Sequence, residues 1–200
     1  MQNLQLRRRR SAWVISSEGT IVSFPTRLFL SPSGYSSAAK RWRPLVAEAR
    51  RVQLGDPARL VMTDFTWEPP ATVTEDRTID DALADMVVAG VHALLVVRGD
   101  LVRGLITSYD IQGDRPLILL RSPSYRPADQ IEVRQIMTRW DLVPTLDWSW
   151  VNAVPVFNLA RAFRRTGASH VVIVENVEHK GAFVRALISR RRLIHQLGLD

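Results

Sequence analysis

The chain of 200 residues contains no cysteine. That excludes a disulfide framework, a thiol nucleophile, a zinc knuckle and an iron–sulfur centre, and it fits a reducing, cytoplasmic compartment. No apolar run approaches the roughly 18–20 residues of a membrane span, so a transmembrane chain is not expected. Aromatic residues are sparse at 8%, but apolar residues reach 46% against 24% charged, the balance of a globular chain rather than a disordered one. Negative charge is scarce in the first sixty residues, where Glu18, Glu48 and Asp56 face ten arginines and Lys40, a net +8. Residues 61–200 carry −1, so the pI near 10.8 belongs to the N-terminal segment and not to the body.

Catalytic signatures are missing too. There is no P-loop, no nucleophile elbow, no His-Glu-x-x-His and no Gly-x-Gly-x-x-Gly after a strand. The four histidines (His92, His170, His179, His195) lack metal-ligand spacing, and no carboxylate pair lies in an apolar setting that would raise a pKa. The expectation is a protein that is not an enzyme and holds no metal.

The basic run Arg7–Arg10 is followed by Ser11–Glu18, which has no sustained apolar stretch, so a signal peptide is not expected. Such a run either is a solvated terminus or touches phosphates; in the second case nucleic-acid binding is weak, salt-sensitive and blind to sequence. Residues 37–53 have a helix-like pattern interrupted by Pro44 and either pack on the body or meet a partner.

What the sequence does contain is an internal repeat. Val61-Met-Thr63 recurs as Ile136-Met-Thr138. Each copy leads through an irregular stretch to a helix. In the first, Thr78 is the N-cap, Asp80 and Asp81 complement the helix dipole, and Gly90 is the stop; Ile79, Ala82, Leu83, Met86 and Val87 form its apolar face. The second has Pro155 near its start, the stripe Val156, Leu159, Ala160 and Phe163, and Gly167 as its stop. Gly90–Val97 then matches Gly167–Val174 without a gap, and both read as buried strands. Arg98-Gly-Asp100 predicts a tight hairpin into Leu101–Ile106; Glu175–Ala182 predicts a looser connection into Phe183–Ile188. Each copy ends in a short helix.

This β–α–β–β–α order, repeated, resembles the CBS-domain pair, or Bateman module, over about residues 58–199. The sharpest match is Gly104-Leu-Ile-Thr-Ser-Tyr-Asp-Ile111, similar to that family's Gly–apolar–x–Thr/Ser–x–x–Asp nucleotide signature. The expected fold is α/β (α+β), with two tandem repeats around a pseudo-two-fold axis. The expected divisions are a basic extension (1–57), repeat 1 (58–113), a linker (114–131) and repeat 2 (132–200), the Pro- and Arg-rich stretch between repeats lying outside.

The motif also has chemistry of its own. Thr107 at a helix start offers a hydroxyl and backbone N–H groups to phosphate, and the acceptor-only carboxylate of Asp110 suits the two hydroxyls of a ribose. Gly104 and Leu105 allow close approach to a flat base. The other reading of Asp110 is a charge that merely stabilises the helix end.

The resemblance implies an adenine nucleotide or S-adenosylmethionine as regulatory ligand, held between repeats by Leu105, Thr107 and Asp110 with Thr138, Val143, Ser169 and His170, and with His92 approaching the phosphates. In the second copy Ser189 is kept, Arg185 stands at the place of Gly104 and Arg192 at that of Asp110. That site, with Thr63, Glu68 and His92, is expected to be empty or to prefer a more anionic ligand. The resemblance further implies a homodimer and a separate regulated protein. Trp148 and Trp150 are candidates for stacking on a base, or else core anchors.

Overall fold

The computed structural model describes residues 13–15, 21–23, 28–29, 51–122, 125, 130–179 and 181–199. Arg7–Arg10 and nearly all of residues 37–53 lie outside them.

Three short strands come from the N-terminal extension: β1 (Trp13–Ile15), β2 (Ile21–Ser23) and β3 (Leu28–Phe29). Repeat 1 then runs β4 (Thr63–Asp64), β5 (Thr72–Thr74), α1 (Ile79–Ala89), β6 (Ala93–Arg98), β7 (Leu101–Thr107) and α2 (Ser108–Gln112). Two further helices follow, α3 (Asp114–Leu120) and α4 (Val133–Ile136). Repeat 2 runs β8 (Thr138–Arg139), β9 (Thr145–Asp147), α5 (Trp148–Ala153), α6 (Val156–Thr166), β10 (His170–Val177), β11 (Gly181–Ser189) and α7 (Arg190–Leu197).

The helix signals act as their chemistry requires. The Thr78 side chain accepts from Asp81 N–H at the start of α1, and Gly90 and Gly167 close α1 and α6 in the left-handed conformation that side chains resist. One expectation fails on α1: Val87 does not join the buried face but is 74% exposed, beside Val88 at 86%. The buried face is centred on Ile79, Ala82 and Met86.

Within each repeat the sheet is the same. β5 pairs parallel with β6, and β6 antiparallel with β7; β9 pairs parallel with β10, and β10 antiparallel with β11. The second hairpin is tighter than expected, because β10 continues to Val177 and β11 starts at Gly181. The repeats also exchange strands. β4 of repeat 1 pairs with β11 of repeat 2, and β8 of repeat 2 pairs with β7 of repeat 1. β3 lies between β11 and β7 and joins the two sheets, while β1 runs beside β9.

The lead-in segments are exchanged in the same way, which explains the repeated tripeptide. Val52, Ala58, Val61 and Met62 fill the core of repeat 2 with Leu159, Phe163 and Leu193. Ile131, Val133 and Ile136 fill that of repeat 1 with Met86, Leu94 and Ile106. Hydrogen bonds fix both docks: Ala58 N–H donates to Val154 O and Val156 N–H to Asp56 O on one side, Ile79 N–H to Ile131 O and Val133 N–H to Arg77 O on the other. A fully buried apolar side chain contributes about 1.5–3 kcal/mol. Against a total stability of order 5–15 kcal/mol, several such residues make each repeat dependent on the segment preceding the other. The third core lies between the sheets, where Phe65, Leu95, Leu105, Trp140, Val172 and Val184 meet.

The stretch between repeats does not lie wholly outside. It forms α3, buries Pro116, and at its end sends Ile131 and Val133 into the repeat 1 core.

Candidate functional site

The strand registers set which residues are equivalent. Gly104 pairs with Val96 and Arg139, and Ala186 pairs with Ile173 and Asp64. Ala186 is therefore the counterpart of Gly104, and the counterpart of Arg185 is Arg103. This corrects the sequence alignment by one residue in that strand. The same registers set Leu105 against Leu187, Thr107 against Ser189 and Asp110 against Arg192.

Two clefts, one per repeat, lie where the exchanged strands meet the ends of β7 and β11. The repeat 1 cleft has a volume of about 460 Å³ and brings together Leu105, Thr107, Asp110, Thr138, Ser169 and His170. Two expected members are elsewhere. Val143 is buried in the core between the sheets, and His92 lies on the other cleft.

Thr107 and Asp110 form a reciprocal cap on α2. Asp110 Oδ2 accepts from Thr107 N–H at 2.8 Å and from Thr107 Oγ1 at 2.7 Å, while Asp110 N–H donates to Thr107 Oγ1 at 3.3 Å. Oδ1 pairs with Arg115 Nη1 at 2.8 Å. Arg115 also donates to Ile136 O at 2.6 Å and Thr138 Oγ1 at 3.2 Å, tying the motif of repeat 1 to the first strand of repeat 2. A carboxylate has about four acceptor directions, so one stays available to a ligand hydroxyl. Sequence reading missed Arg115. It stands five residues after Asp110 in a segment that reads as linker, and no local pattern says the chain folds back.

The repeat 2 cleft is larger, about 740 Å³, and unites the residues of the departing copy: Thr63, Glu68, His92, Ser189 and Arg192. Arg191 and His195 line it as well, and Phe65, Ala71, Val91, Leu95 and Leu187 supply apolar wall. Ser189 caps α7, its hydroxyl accepting from Arg192 N–H at 3.5 Å, and Arg192 Nη1 donates to Thr63 Oγ1 at 2.8 Å. Arg185 is not part of this lining. It holds β4 against the hairpin through Asp64 (3.1 Å twice) and Glu175 (2.9 Å), and its guanidinium lies 4.6 Å from the centre of the Trp148 ring. Trp148 thus has one face engaged and packs on the repeat 2 core with Trp150. Burial pushes the Asp64 carboxyl up, but its hydrogen bonds to Thr66 and Arg185 outweigh this and hold it below the ordinary value.

Between the clefts is a smaller space of about 270 Å³ lined by His92, Tyr109, Ser169, His170, Arg190 and Arg191, among others. His170 borders all three cavities, yet is only 5% exposed. Its Nδ1 is 3.1 Å from Ser169 Oγ. Burial, and then the neighbouring His92, push its pKa down to about 4, so the ring is neutral at pH 7. Among the described residues there is no cluster of His, Asp or Glu able to hold a metal ion, and no helix long and apolar enough to cross a membrane.

Two β–α–β–β–α repeats that exchange strands, with a cleft at each junction, make up a tandem module. Residues 61–113 match the CBS domain family. The second repeat follows from the fold. A conserved protein from Pyrococcus horikoshii, of uncharacterized function, superposes with a TM-score of 0.51 at 22% identity, covering 72% of this chain and 93% of its own. The CBS domain of a bacterial CNNM/CorC family Mg2+ transporter in complex with ATP superposes with a TM-score of 0.50 at 16% identity, covering 74% of this chain and 90% of its own. Both likenesses are of fold. No curated protein matches the sequence.

Proposed function

We propose that this chain is a non-catalytic sensor of an adenine nucleotide (AMP, ADP or ATP) or of S-adenosylmethionine, acting on a separate protein. The observation that carries this is the repeat 1 cleft, where a hydroxyl and a carboxylate of repeat 1 converge with Thr138, Ser169 and His170 of repeat 2. A ligand there touches both repeats at once. Its binding energy therefore acts on how they pack, which is what a regulatory module requires. ATP on the similarly folded transporter domain supports the ligand class.

Calorimetry of the full chain with the four ligands tests the reading. At least one is expected to bind, and Asp110→Ala is expected to weaken it ten- to a hundredfold, the loss of a charged acceptor being about 1.5–3 kcal/mol. Absence of heat with all four sinks the sensor. Equal affinity for wild type and Asp110→Ala reduces Asp110 to a helix cap.

The proposal includes a homodimer, in which the exposed Val87 and Val88 on α1 meet a second copy. Light scattering is expected to show two chains for the wild type and one for Val87→Lys. A monomeric wild type rejects the dimer, and a dimeric Val87→Lys moves the interface elsewhere.

A further inference from the structure

We propose that the repeat 2 cleft takes an adenine nucleotide carrying a phosphate on its ribose, at the 2′ or 3′ oxygen. The proposal rests on the adenosyl reading above and specifies the ligand of the second cleft. The pseudo-two-fold equivalence is set by strand pairing, and it inverts the chemistry at one position. In repeat 1 that position is Asp110, which can only accept. In repeat 2 it is Arg192, which can only donate.

A ribose hydroxyl facing Asp110 gives its proton to the carboxylate oxygen. Facing Arg192, a diol meets a side chain that has no acceptor for its protons. A phosphate oxygen on the same ribose position reverses the match, because a guanidinium offers a planar pair of donors to two phosphate oxygens. Arg192 is held for such a role. Its Nη1 is anchored on Thr63 Oγ1 at 2.8 Å, the counterpart of Thr138, on which Arg115 bonds in the other cleft. In dinucleotide folds, too, an acidic residue meets the ribose 2′-hydroxyl and a nearby arginine accommodates a 2′-phosphate.

The rest of the cleft fits. It has about 740 Å³ against about 460 Å³ in the first, room for the added group. Arg191 adds a second guanidinium to the lining. The apolar wall of Phe65, Val91, Leu95 and Leu187 accommodates a flat base, and Glu68 supplies an acceptor.

The test is calorimetry of the full chain with adenosine 2′,5′-bisphosphate, adenosine 3′,5′-bisphosphate, ADP and AMP. ADP carries the same number of phosphates, both on the 5′ oxygen, so the comparison separates the position of the second phosphate from the number of phosphates. One bisphosphate is expected to bind at least about tenfold more tightly than ADP. In Arg192→Gln that advantage is expected to disappear. Arg192 is on the exposed first turn of α7, where removing a positive charge does not oppose the helix dipole. Bisphosphates no tighter than ADP, or an advantage that survives in Arg192→Gln, overturn the proposal and leave the sensor standing if AMP or ADP binds. No heat with any nucleotide on the wild type rejects both.

Discussion

Gly104→Val is expected to destabilise the protein by about 3 kcal/mol and to abolish the ligand binding proposed for the repeat 1 cleft. A Cβ at residue 104 would stand 2.3 Å from the carbonyl oxygen of Thr138 and 3.3 Å from Arg139 Cα, both backbone atoms. No rotamer change relieves that contact, so β8 has to leave β7 and carry Thr138 out of the cleft. The internal control is Ala186, the counterpart, which bears a Cβ and is fully buried opposite Asp64. Ala186→Gly should cost only about 0.5–1 kcal/mol. Urea unfolding of the two variants decides the matter. Similar losses in both would mean that the β7–β8 contact does not depend on glycine.

Acidification should weaken the fold through His170. Its pKa of about 4 in the folded chain is below the ordinary 6.5 of the unfolded one. Between those values the unfolded chain binds the extra proton, so stability is full above about pH 6.5 and falls as pH drops toward 4. The difference integrates to about 3 kcal/mol. The guanidiniums of Arg190 and Arg191 line the same central cavity, where positive charge opposes protonation rather than helping it. Thermal melts of wild type and His170→Gln at pH 7, 6, 5 and 4 measure the term. The expected result is a smaller drop in the variant; superimposable pH profiles would remove His170 as the cause. Asp64, held below its ordinary carboxylate value, acts only at lower pH.

Legibility followed the range of the interactions. The caps at Thr78, Gly90 and Gly167 and the buried runs at 93–97 and 170–174 are local matters of backbone geometry and apolar periodicity, and the structure has them at the expected residues. Val87 shows where periodicity runs out: an apolar residue at helical spacing is exposed, since among the described residues no other element covers it. The strand alignment of the second copy slipped by one residue because Arg185 looked like a loss of glycine. Its ion pairs with Asp64, 121 positions away, and with Glu175 show why arginine stands there.

The site was legible in composition and not in assembly. Thr107, Asp110, Thr138, Ser169 and His170 do share a cleft, but Val143 points into the core and His92 belongs to the other side. Arg115 had no signal at all, because its partners Asp110, Ile136 and Thr138 meet only once α3 folds back.

By itself, then, the sequence determined the duplication, the order of helices and strands in each copy, and the replacement of an acceptor by a donor between Asp110 and Arg192. These depend on residue type, spacing and short-range backbone preference. Only the tertiary structure decided that the copies exchange their lead-in segments and first strands, and that residues 13–15, 21–23 and 28–29 add strands to the sheets. It also decided that the departing copy holds the larger cleft. Such outcomes depend on which apolar face finds which core across a hundred residues, a competition that no local pattern records.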